Sequence, residues 1–148
     1  MQPFAGERIF ALPPEHLWPK LRDAGYLVQC IPDGTPREGA TRDRAVCAVQ
    51  PGFSFMRGSL DVTIEVVGGT EPTTLQFKLI SKGIGSSSEV GSSLTISKHE
   101  QGSKIDWQAE LTKLTGLLKM VPAGLIRGAA NKVIEDVWTG VAAKLEAG

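Results

Sequence analysis

Apolar and polar residues alternate along much of the middle of the chain. Leu60, Val62, Ile64 and Val66 are separated by single polar residues. This period of two is typical of a β-strand that buries one face and exposes the other. The pattern predicts a first strand at 4–12 and further strands at about 42–50, 53–67, 73–81, 89–98 and 103–113.

Two short helices are predicted between the first strand and the others. Pro14 fits the first position of a helix, and Leu17, Trp18 and Leu21 fall on one face of it. Gly25 is expected to end this helix, and residues 26–31 are expected to form a second one.

After Gly116 the apolar spacing changes to threes and fours, which predicts an amphipathic helix of about thirty residues. Pro122 marks either the start of this helix or a kink in it. The apolar positions are Leu118, Val121, Leu125, Ile126, Ala129, Ala130, Val133, Val137, Val141 and Leu145.

These elements predict one α+β domain over residues 1–148, a usual length for a single domain. The tight connections between strands favour an antiparallel sheet of six or seven strands. One long helix cannot cover both faces of such a sheet. We therefore expect a curved sheet wrapped around the C-terminal helix, with a pocket between them.

Charge and composition exclude several function classes. Sixteen basic residues balance sixteen acidic ones, whereas a nucleic-acid-binding protein usually has a basic excess or stripe. No apolar run is long enough to cross a membrane, and no export signal is visible at the N-terminus, so a cytoplasmic protein is expected. Cys30 and Cys47 are interpreted as free, buried thiols.

Candidate catalytic groups are few. His16 and His99 are placed in a short helix and a turn, where exposed polar roles are favoured over chemistry. We predict no catalytic residue, no metal site and no cofactor. Four strand carboxylates fall on the polar face of the sheet and are expected to be solvated: Asp61, Glu65, Asp106 and Glu110.

Several short segments, in order along the chain, are similar to segments of one known family. They are residues 10–18 with Leu21 and Asp23, Cys30-Ile31-Pro32 after Leu27, Phe55 with Gly58, residues 83–91, Gly102-Ser103, Gly116 and Leu125-Ile126.

This ordered set resembles the CoxG family of carbon monoxide dehydrogenase proteins, within the START-like (SRPBCC) helix-grip superfamily. Asp33 stands where the family usually has glycine, and Ser103 where it has threonine. The resemblance implies a cytoplasmic or membrane-peripheral accessory protein of a molybdenum hydroxylase. Its hydrophobic cavity would bind a lipid- or quinone-like molecule without catalysis. A polyketide cyclase-like enzyme acting in the same cavity is the alternative.

The ligand site is expected between the inward residues of the strands and the first half of the long helix. Trp107 either packs against that helix or lines the pocket. The small residues early in the helix allow either close contact with the sheet or an open cavity. The predicted lining is Val62, Ile64, Phe77, Leu79, Leu94, Ile96, Trp107, Leu125, Ala129 and Val133.

Overall fold

The computed structural model describes residues 4–31, 34–49, 59–83 and 85–147. Side chains of residues 4, 117, 118, 129, 146 and 147 lie outside the description. The elements are β1 (Phe4–Phe10), α1 (Pro14–Leu21), α2 (Ala24–Gln29), β2 (Thr35–Pro36), β3 (Arg44–Val49), β4 (Leu60–Thr70), β5 (Thr74–Gly83), β6 (Ser86–His99), β7 (Gly102–Gly116), a 3₁₀ turn (Leu117–Met120) and α3 (Ala123–Ala147).

The strands form one curved antiparallel sheet in the order β1-β7-β6-β5-β4-β3-β2. The predicted α+β class, the two short helices and the long C-terminal helix are confirmed. On β7, Ile105, Trp107 and Ala109 are buried while Asp106 and Glu110 are exposed. The predicted alternation therefore holds, and the carboxylates lie on the outer face.

Several predicted boundaries differ from the structure. Gly25 lies inside α2, because Asp23 caps that helix by accepting a hydrogen bond from the Tyr26 amide at 3.3 Å. Pro122 precedes α3, so it marks a start and not a kink. β4 begins at Leu60, and most of the earlier part of its predicted strand, residues 53–58, lies outside the described residues. The two-residue β2 was not predicted.

The short helices are fixed over the inner face of the sheet. Leu17 and Leu21 of α1 are fully buried, and Leu27 and Val28 of α2 are nearly so. The indole nitrogen of Trp18 donates to the Thr74 carbonyl at 2.9 Å, which ties α1 to the β4–β5 turn. The two helices therefore close one end of the space enclosed by the sheet and α3.

Candidate functional site

The centre of the inner face carries short side chains. Ser92 of β6 lies opposite Phe77 on one side and Ala109 on the other. In the adjoining pair, Trp107 faces Gly6 of β1, and a Cβ at Gly6 would come within 2.7 Å of the Trp107 ring. The bulky indole therefore lies over β1, and space remains above Ser92 and Ala109.

That space is a cavity of about 50 Å³ between the sheet, the two short helices and α3. Among its described lining residues Ser92 is the only polar one. The lining consists of Leu21, Leu27, Ile64, Phe77, Leu79, Ser92, Leu94, Ile134, Val137 and Trp138.

The cavity volume limits what the observed conformation can hold. An engineered apolar cavity of ~150 Å³ is dry and admits benzene. The present cavity has about a third of that volume, so it accommodates a group of a few heavy atoms. A larger apolar ligand requires outward movement of part of the wall.

Four of the predicted site residues line the cavity: Ile64, Phe77, Leu79 and Leu94. Val62 and Ile96 are buried on the inner face but do not line it, and neither does the half-buried Val133. The side chain of Ala129 lies outside the described residues.

Two predicted positions differ more strongly from the structure. The Leu125 side chain is 51% exposed, because it projects from a part of α3 that no other described element covers on that side. Trp107 is 1% exposed and packs over Gly6, which settles its two alternatives in favour of packing.

The helix residues that do line the cavity lie farther along α3 than predicted. Ile134, Val137 and Trp138 replace the expected Leu125, Ala129 and Val133. Leu21 and Leu27 also line the cavity and were not predicted, since nothing local in the sequence says where α1 and α2 dock. The apolar period of the helix identified Val137 as inward, but not its distance from β6.

The glycines of α3 have two different environments. A Cβ at Gly124 or Gly128 would meet no atom within 4 Å, so these glycines neither contact the sheet nor border a wall. A Cβ at Gly140 would clash with the carbonyl oxygen of Cys30 at the end of α2. The close helix contact expected from small residues therefore exists, but at Gly140.

The titratable groups near the core are held in their neutral forms. Burial raises the pKa of the Cys30 thiol to about 11, although the Lys144 ammonium opposes this shift. Burial also raises the pKa of the Cys47 thiol, and both cysteines are free, as predicted. Neither thiol lines the cavity, and neither is poised as a nucleophile at neutral pH.

Within the described residues, no group of three or more His, Cys, Asp or Glu side chains is arranged to hold a metal ion. None of the described α-helices is long and apolar enough to span a membrane.

The outer face of the sheet carries a wider hollow of about 500 Å³. It lies over Gly91 and is bordered by Gln76, Lys78 and Glu110. These side chains are polar and solvated, so the hollow lacks the apolar surface that favours ligand burial. The enclosed inner cavity is therefore the candidate site.

Comparisons with known proteins agree with this architecture. The model of the CoxG family of carbon monoxide dehydrogenase proteins matches residues 6–146. No curated protein sequence matches the chain.

Solved structures share the fold at low sequence identity. A conserved protein from Geobacillus kaustophilus is 17% identical, with a TM-score of 0.82 over 99% of this chain and 96% of its own. A START superfamily protein from Mycobacterium smegmatis is 12% identical, with a TM-score of 0.66 over 98% and 97%. The AHSA1 protein from Silicibacter pomeroyi is 14% identical, with a TM-score of 0.62 over 99% of each chain.

Proposed function

The chain belongs to the CoxG family of carbon monoxide dehydrogenase proteins, and from this premise we propose that it binds a hydrophobic small molecule, lipid- or quinone-like, between the sheet and α3. The observation that carries the proposal is the cavity itself. Nine of its ten described lining residues are apolar, and it lies where the helix-grip fold encloses its core.

Binding would be driven by burial of apolar surface, which contributes about 25 cal/mol per Å² before the cost of association. The ligand must be larger than the present volume, so the wall has to open. The first turns of α3 are the least covered part of that wall, as the exposed Leu125 and the open surroundings of Gly124 and Gly128 indicate.

The lining supports binding in preference to catalysis. Acid–base or nucleophilic chemistry needs a titratable or activated group beside the substrate. Ser92 is the only polar residue among the described lining residues, and no histidine, carboxylate or lysine lines the cavity beside it. A non-catalytic carrier is therefore favoured over a cyclase-like enzyme.

The test is uptake of N-phenyl-1-naphthylamine, an uncharged probe that fluoresces in apolar surroundings. Val137→Phe adds a ring to the cavity wall and should abolish the fluorescence increase. Val67→Phe makes the same change at a side chain that is 61% exposed, so uptake should persist. Far-UV circular dichroism checks that both variants fold. Equal uptake by the wild type and Val137→Phe would contradict the proposed site.

The family name also supports a role beside a molybdenum hydroxylase such as carbon monoxide dehydrogenase. In this role the protein would bind the enzyme and carry its apolar ligand to or from it. Sedimentation of the purified protein with purified carbon monoxide dehydrogenase should give a co-migrating complex. Separate migration at micromolar concentrations of both would argue against this partner.

A membrane-peripheral location is supported by the apolar surface around the start of α3. Met120 is 84% exposed and Leu125 is 51% exposed, with the exposed Lys119 beside them. We expect the protein to float with vesicles of phosphatidylcholine and phosphatidylglycerol, and Leu125→Asp to reduce flotation. If wild type and variant both stay in solution, the protein works away from the bilayer.

A further inference from the structure

One polar side chain interrupts an otherwise apolar wall. Along the inner face of β6, Ser92 lies between Val90 and Leu94, and both of these are buried. Its neighbours on the adjacent strands are the buried Phe77 and Ala109. A hydroxyl group in such surroundings lowers stability unless its hydrogen-bonding capacity is used.

Half of that capacity is used within the sheet. The Ser92 hydroxyl donates its proton to the carbonyl oxygen of Gln108 on β7, with an Oγ–O distance of 3.1 Å. A serine hydroxyl has one proton and two acceptor lone pairs. With the proton engaged, the oxygen offers the cavity an acceptor and no donor.

We propose that Ser92 determines ligand specificity by accepting a hydrogen bond from a hydroxyl group on an otherwise apolar ligand. The inference rests on the proposed binding function and adds to it the ligand class, an apolar alcohol or phenol as opposed to a hydrocarbon, ether or ketone. A ligand with acceptors only would place its oxygen against the Ser92 lone pairs and leave both oxygens without a partner.

The test compares three small aromatic probes of similar shape. Phenol carries a donor, anisole carries an acceptor only, and toluene carries neither. Affinities are measured by titration calorimetry. The indole N–H resonances locate binding, because Trp138 lines the cavity while the Trp18 indole is bonded to Thr74. Binding at the site should shift the Trp138 signal and leave the Trp18 signal in place.

The measured quantity is the ratio of the phenol affinity to the toluene affinity in each variant, because this ratio cancels the different solvation of the probes. In Ser92→Ala the ratio should fall about three- to tenfold, the worth of one hydrogen bond. In Ser93→Ala, whose side chain lies on the exposed outer face, the ratio should be unchanged.

The outcomes separate this proposal from the binding function on which it rests. Toluene binding with a phenol ratio that Ser92→Ala leaves unchanged would overturn the specificity role and leave the cavity intact. A loss of anisole binding equal to the loss of phenol binding would show Ser92 to be a donor, which overturns the assignment. Absence of binding by all three probes to the wild type would overturn both proposals.

Discussion

The two halves of α3 differ in how they are attached to the rest of the molecule. We call residues 134–147 the anchored half and residues 123–133 the free half. In the anchored half Ile134, Trp138 and Val141 are buried, and the Trp138 ring packs 6.0 Å from the Phe10 ring between centroids. In the free half Leu125 is exposed, and Ile126 is its only side chain described as buried.

Polar contacts follow the same division. The Arg8 guanidinium of β1 forms an ion pair with Glu135 at 2.6 Å. The Lys144 ammonium lies 5.6 Å from the centroid of the Tyr26 ring, at cation–π distance. Both contacts connect the anchored half to other elements.

The division gives the cavity one fixed wall and one adjustable wall. Trp138, Val137 and Ile134 hold their positions because the anchored half is packed against α2 and β1. The free half has fewer contacts to lose when it moves, so local opening there requires less free energy. A cavity of about 50 Å³ can therefore enlarge for a ligand without unfolding the core.

The strongest test of the anchored half is Gly140→Ala. The added Cβ would overlap the carbonyl oxygen of Cys30, so α3 must move away from α2. Overpacking of this kind lowers the free energy of unfolding by typically 1–3 kcal/mol. We expect a loss of about 2 kcal/mol, because backbone atoms form the contact. Urea unfolding followed by tryptophan fluorescence measures it.

The matched control is Gly128→Ala in the free half. A Cβ there meets no atom within 4 Å, and alanine favours a helix over glycine by about 1 kcal/mol. The free energy of unfolding should therefore rise by about 0.5–1 kcal/mol. Two variants that shift it in the same direction would contradict the division of α3.

The Cys30 thiol reports on the contact between α2 and the anchored half. Its pKa is about 11 in the folded protein and 9.0 for an unperturbed thiol. Below pH 9 both states keep the proton and the thiol leaves stability unchanged. As pH rises from 9 to 11 only the unfolded state loses the proton, so stability falls.

Across this window the wild type should lose up to about 2 kcal/mol more stability than Cys30→Ala. Alkaline unfolding curves of the two proteins measure the difference. Thiol labelling at pH 8 gives an independent check, since Cys30 should react only after unfolding. Rapid labelling of Cys30 in the native protein would show that the anchored half opens readily.

The sequence carried enough information for the sheet and too little for the position of the cavity along α3. Ile105, Trp107 and Ala109 could be placed inward because strand alternation is a local property. Leu125 has the correct helical period but is exposed, because the period does not show whether another element covers a given turn.

Two residues that matter for the site had no local signal of their role. Gly140 is one of several glycines in the helix, and only the approach of the Cys30 backbone distinguishes it. Ser92 lies in a serine-rich strand, where the polar residues gave no reason to single out one that faces inward. Both roles depend on contacts between residues far apart in the chain.

The smallest expected effect concerns the ion pair that joins β1 to the anchored half. The Arg8 and Glu135 side chains are 30% and 40% exposed, and partly solvated pairs contribute about 0.2–1 kcal/mol. Arg8→Ala, Glu135→Ala and the double variant form a cycle that isolates the coupling free energy, which we expect to be about 0.5–1 kcal/mol and weaker at high salt. The control cycle uses Lys132 and Asp136, which pair within α3 at 2.7 Å and should couple by about 0.3–0.5 kcal/mol. Because, of these two pairs, Arg8–Glu135 alone connects the helix to the sheet, its removal should also speed the alkaline labelling of Cys30, whereas removal of the Lys132–Asp136 pair should leave that rate unchanged. Equal labelling rates in the two cycles would mean that packing at Trp138 and Gly140 alone holds the anchored half in place.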